Sequence, residues 1–188
     1  MNDVTTAGTS AKITVEPDHF TFVHYEPGRI VDVVSELAGL LGVGNPVHVI
    51  VDETTPAAKV SAEVDGTSSD AQITIRVESG ALDDFQRLTH FGVDNARQSL
   101  GRMLLRARDR MRPDFADTPA DLDLSNAENA AWDAYCVGRL TRAGIDTNQQ
   151  RWRYNYRNRF GFSDAVDAEF DRLWAADDLG WDDVCSGD

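Results

Sequence analysis

Lysine is nearly missing from this chain, cysteine is rare, and no long hydrophobic run occurs in it. Only Lys12 and Lys59 are lysines among 18 basic residues, a bias expected of coding from a GC-rich genome. The two cysteines, Cys136 and Cys185, lie far apart and without metal-ligand spacing, which points to free thiols in a cytoplasmic protein. No run approaches the ~20 apolar residues of a membrane span, so no membrane partner is expected. The first residues lack both a basic segment and an apolar one, and residues 1–11 read as a disordered leader rather than an export signal.

Catalytic signatures are missing too. There is no Walker-type loop, no dinucleotide-binding glycine fingerprint, no Gly-x-Ser-x-Gly elbow and no Cys-x-x-Cys pair. The four histidines, His19, His24, His48 and His90, are not at helical metal spacing. His24 and His48 fall on predicted strands, where a core or surface histidine is the ordinary role. Neither a metal nor a cofactor is expected, and the enzyme reading is disfavoured. Of the adjacent carboxylate pairs, Asp52-Glu53 at a strand end is the one worth testing; Asp83-Asp84, Asp177-Asp178 and Asp182-Asp183 read as solvated surface.

What remains is enough to fold. Across 188 residues, 41% are hydrophobic and 27% charged, a balance that supports a buried core. The pattern is α+β: a mixed sheet of about four strands with packed helices, followed by a three-helix C-terminal segment. Residues 12–25 alternate as strands broken by Pro17, with Phe20, Phe22 and His24 on one face. Pro27 opens a helix whose Ile30, Val33, Val34, Leu37, Leu40 and Leu41 share a stripe, and Gly42 stops it. Val47 to Asp52 reads as a strand covered on both faces. Residues 59–64 and 72–77 read as a hairpin across a polar loop. A short helix is expected over 81–88 and a long one over 93–111. Residues 113–124 read as a polar linker, closing an α+β core of residues 12–112. Ser125 and Glu128 have capping-box spacing, and helices then run over 126–142, 147–160 and from the Ser163 cap onward. This helical segment, 125–178, is expected to pack on the core ahead of an acidic tail, 179–188.

Charge is segregated. The net charge is −14, so duplex nucleic acid is a disfavoured partner for the surface as a whole. Yet residues 89–112 hold six arginines against two acids, and residues 151–160 hold four arginines and no acid. The arginines of the first block, Arg106 included, lie outside the apolar stripe, as a solvated face would. In the second block, Arg151, Trp152, Arg153, Tyr156, Arg157 and Arg159 interleave base and aromatic residues, with Trp152, Tyr156 and Phe160 at i, i+4, i+8. Such a face could stack bases and hold phosphates. It could equally bury its rings on the last helix and pair its arginines with Asp164, Asp167, Glu169 and Asp171.

The element order from Pro27 to Met111, including the lead-in Gly80-Ala81-Leu82-Asp83-Asp84-Phe85, resembles the core layout of small zincin-type metallopeptidases. In that family the long helix carries HExxH, with two zinc-binding histidines and a glutamate base. The matching stretch here is Leu105-Arg106-Ala107-Arg108-Asp109, which lacks all three residues, so the resemblance implies a layout and no zinc chemistry. The expected function is a non-catalytic module that binds another protein through residues 151–160. The alternatives are an arginine-lined pocket between the two halves for a phosphorylated or carboxylated small ligand, or an enzyme of unknown class, and single-stranded nucleic-acid binding through residues 151–160.

Overall fold

In the computed structural model, which describes residues 11–186, a four-stranded mixed sheet carries helices on one face and a helical layer beyond them. The strands are β1 (Ile13–Glu16), β2 (Val47–Asp52), β3 (Val60–Val64) and β4 (Ile73–Glu78), in the order β1-β2-β4-β3. β1 is parallel to β2 and β2 to β4, while β3 runs antiparallel to β4 as the expected hairpin. The helices are α1 (Pro27–Leu41), α2 (Val93–Arg110), α3 (Asn126–Arg142), α4 (Gln149–Phe160), α5 (Asp164–Ala175) and α6 (Trp181–Cys185). The leader expected over residues 1–11 lies outside the described residues except for Ala11, which packs partly against the core.

Local chemistry sets the helix ends. Pro27 stands at the start of α1, where its fixed φ and missing N–H cost nothing. Gly42 ends that helix at φ 67°, a left-handed geometry that favours glycine. Ser125 and Glu128 form the reciprocal capping box of α3. Asn148 and Ser163 accept from Arg151 and Val166 backbone N–H groups at the starts of α4 and α5.

β2 is covered on one face only. Val47, Val49 and Val51 are buried with Ile73, Ile75 and Val77 of β4 under α1 and α2, while His48 and Ile50 turn toward the open face. The valine-rich sequence resembles a doubly covered strand because the open face keeps an isoleucine. α2 is the axis of the molecule, packed between the sheet with α1 on one side and α3 on the other. α4, α5 and α6 then pack on α3.

Three further expectations are corrected. Residues 20–24 form no strand: the Thr21 and Phe22 N–H groups donate to Glu53 Oε2 at 2.7 and 2.6 Å, leaving Phe20 buried and Phe22 exposed. Residues 81–88 form no helix beyond the short 3-10 turn Ser79–Ala81, because the Asp84 side chain accepts from the Gln86 N–H and the segment doubles back, Asp84 N–H to His90 carbonyl at 2.7 Å. The stretch 113–124 is no free linker, since Phe115 is buried and the Asp121 side chain is 3% exposed. The acidic tail contains α6, whose Val184 is buried against the helical layer; only residues 187–188 of it lie outside the described residues.

Candidate functional site

The arginines of α2 are structural groups rather than a solvated face. Arg97 forks onto Glu36 of α1 at 2.8 and 2.9 Å, and Arg108 donates to the Leu41 carbonyl at 2.9 Å, a cation at the C-terminal end of α1. Arg102, Arg106 and Arg110 follow one another at successive turns and face the helical layer. Arg106 is 2% exposed. It donates to Asp133 at 2.9 Å, to Asn129 Oδ1 at 3.1 Å and to Asp121 at 3.3 Å. Its guanidinium sits 4.8 Å from the Trp132 ring centroid.

Asp121 connects three parts of the chain. It accepts from Arg110 at 2.7 Å, from Arg106, and from the Ala62 N–H of edge strand β3 at 2.8 Å. The segment that sequence reasoning treats as linker therefore covers a sheet edge and neutralises buried arginines. Asp133 accepts from Arg102 at 2.6 Å as well as from Arg106. Burial pushes its carboxyl up, but the two arginine charges overcome this and hold it below the ordinary carboxylate value. Burial likewise opposes the charge of Arg106, and Asp133 and Asp121 reverse the effect, leaving its pKa raised.

A second ion pair lies deeper. Asp109, fully buried, receives both terminal nitrogens of Arg139 at 2.7 and 2.6 Å and Trp132 Nε1 at 3.0 Å. In the stretch compared above with HExxH, Leu105, Arg106 and Asp109 are all buried, and the two charged ones are engaged in ion pairs. Among the described residues, no group of three or more His, Cys, Asp or Glu is placed to hold a metal, and no helix is long and apolar enough to cross a membrane.

The second arginine block is largely engaged within its own layer. Tyr156 is 2% exposed and stacks on Phe160, with ring centroids 4.3 Å apart. Trp152 is partly buried, with the Arg102 guanidinium 4.9 Å from its ring. Arg157 forks onto Asp167, Nε to Oδ1 at 2.7 Å, and Arg153 pairs with Asp171 and Asp167. Thus the aromatic face is turned inward and two of the four arginines meet α5 carboxylates. Arg151 lies exposed, 5.2 Å from the exposed Phe85 ring. Arg159 is exposed and makes no ion pair among the described residues.

One cleft gathers what is left over. It opens between the start of β3, α2, the Asp121 segment, α3 and α4, with a volume of about 460 Å³. Four cations line it, Lys59, Arg102, Arg106 and Arg159, against two carboxylates, Asp121 and Asp133. In a chain of net charge −14, this is a local positive excess of two. Both carboxylates are consumed by arginines, whereas Lys59 and Arg159 have no ion pair among the described residues. Three lining residues carry a buried side-chain atom with no hydrogen-bond partner among the described residues, Arg102 at Nε, Arg106 at Nε and Trp152 at Nε1, as do Arg97 and Arg110 of α2, each at Nε, outside the cleft. All of these atoms are donors.

Of the candidate residues read from sequence, Arg106, Trp152, Tyr156 and Arg159 line this cleft, while Arg151, Arg153 and Arg157 do not. Sequence reasoning missed Lys59, Arg102, Asp121 and Asp133. No sequence signal singles out Lys59, and nothing in the chain near Asp121 announces that it turns inward. No family model matches the chain, and neither a curated protein nor a solved structure matches it.

Proposed function

We propose that this protein binds a small anionic ligand in the cleft between the sheet half and the helical half. The observation that carries this reading is the charge of the cleft: both its carboxylates are paired with arginines, and its two uncompensated charges, Lys59 and Arg159, are cations. An oxyanion, whose oxygens only accept, complements unpaired cationic donors. Arginine and lysine side chains suit phosphate and carboxylate recognition. A cytoplasmic location, expected from the cysteine usage, belongs to this proposal.

Isothermal titration with inorganic phosphate and succinate tests it. Binding is expected to weaken in Arg159→Ala, and no binding of either anion at millimolar concentration would sink the reading. A protein partner is the second reading, supported by Tyr154 and Phe162, an exposed aromatic pair with ring centroids 6.0 Å apart beside Arg157. Replacing Tyr154 and Phe162 with serine would then abolish capture of that partner. Base stacking on the Trp152, Tyr156 and Phe160 face has less support, because Tyr156 is buried.

A further inference from the structure

On the reading that the cleft takes an anion, we infer that its ligand is a phosphate ester of a hydroxylated small molecule, held at once by Lys59 of the sheet half and Arg159 of the helical half. Charge points to the phosphate. Four cations less two carboxylates leave the cleft an excess of two positive charges, which a phosphate monoester dianion matches and a single carboxylate does not. Its three terminal oxygens also give Lys59 and Arg159 more acceptors than one carboxylate offers.

The remaining lining points to a hydroxylated body. Asn126, Asn155 and Asn158 face the cleft and make no side-chain hydrogen bond among the described residues. Each amide offers both a donor and an acceptor, the complement of a hydroxyl, which is also both. The apolar part of the lining is Ala58, Val60, Met103, Ala130 and the rings of Trp152 and Tyr156, against ten charged or asparagine side chains. The volume, about 460 Å³, falls in the range of small-molecule sites and exceeds what inorganic phosphate alone would fill.

The two-sided hold follows from where the unpaired cations stand. Lys59 precedes β3, whose hairpin belongs to the sheet, and Arg159 lies in the last turn of α4, which packs on α3 and α5 rather than on the sheet. A ligand that engages both ties α4 to the sheet edge, so its affinity depends on each cation separately.

The experiment titrates the full chain with inorganic phosphate, succinate, glycerol 3-phosphate, ribose 5-phosphate and glucose 6-phosphate, in wild type, Lys59→Ala, Arg159→Ala and the pair Asn155→Ala with Asn158→Ala. All four positions are exposed, so the variants keep the fold, and thermal unfolding verifies this. The tightest ester is expected to bind at least tenfold better than inorganic phosphate and to lose about tenfold in each cation variant, the scale of one charge-assisted hydrogen bond. The asparagine pair is expected to weaken the ester and leave inorganic phosphate unchanged. Equal binding of phosphate and esters overturns the hydroxylated body. A silent Lys59→Ala beside an effective Arg159→Ala overturns the two-sided hold. Binding of no anion, phosphate and succinate included, defeats the proposed function itself.

Discussion

Replacing Asp109 with alanine removes the only carboxylate that, among the described residues, pairs with Arg139 in the interior. Asp109 is fully buried and the Arg139 side chain is 5% exposed. The substitution deletes two charge-assisted bonds, at 2.7 and 2.6 Å, and the acceptor of Trp132 Nε1. The guanidinium is then left against the Tyr135 ring, 3.7 Å from its centroid, with the Tyr135 carbonyl and the Cys136 sulfur as its remaining partners, both at 3.4 Å. Breaking a buried pair from one side costs roughly 3–5 kcal/mol, because the surviving charge is uncompensated. For a chain of this size each kcal/mol moves the melting temperature by about 2–4 °C, so a fall of roughly 6–20 °C is expected. The assay is thermal and urea unfolding followed by far-ultraviolet circular dichroism, with the double variant Asp109→Leu, Arg139→Met as control. Removing both charges together is expected to restore most of the loss. A loss of less than about 1 kcal/mol in Asp109→Ala, or a double variant as unstable as the single, would refute the reasoning.

Three further outcomes follow from packing and charge. A Cβ placed on Gly138 of α3 would lie 2.0 Å from the Trp174 carbonyl oxygen of α5, so Gly138→Ala is expected to separate the two helices and lower stability by about 1–3 kcal/mol in the same unfolding assay. Asp133 is held below the ordinary carboxylate value in the folded state; its contribution is present above the unfolded value near 3.9 and is lost as pH falls through the folded one. Acid unfolding of Asp133→Asn, followed by circular dichroism from pH 5 downward, should accordingly show a shallower dependence than wild type. Burial pushes the Cys136 thiol up to about 12, so peptide-resolved mass spectrometry should find it unmodified by iodoacetamide at pH 8 until urea unfolds the chain.

The parts legible in the sequence are those governed by local signals. Pro27 and Gly42 bracket α1, the Ser125 and Glu128 spacing marks the start of α3, and Ser163 caps α5. Helical periodicity located α2, the valine run located β2 although that run reads as covered on both faces, and the polar loop between two β-rich runs located the hairpin. The misreadings arise where side chains compete with backbone pairing. Glu53 takes the N–H groups that a strand through Phe22 would need, and the Asp84 turn replaces a helix. The site was half legible for a related reason. A row of arginines on a helix looks alike whether water or carboxylates face it, and the carboxylates that bury Arg106 come from Asp121 and Asp133, 15 and 27 residues away. The segment around Asp121 has a linker composition, so its inward turn follows from the arginines it meets and not from its own pattern.

The claim that the cleft receives an anion is tested most directly at Trp152. Its indole Nε1 is buried without a partner among the described residues, whereas that of Trp132 donates to Asp109. In a nitrogen-proton correlation spectrum the four tryptophan indoles report separately. Adding glucose 6-phosphate should shift the Trp152 indole resonance downfield and leave that of Trp132 in place, with the shift reduced in Arg159→Ala. An unmoved Trp152 resonance up to millimolar ligand, inorganic phosphate included, would contradict the account.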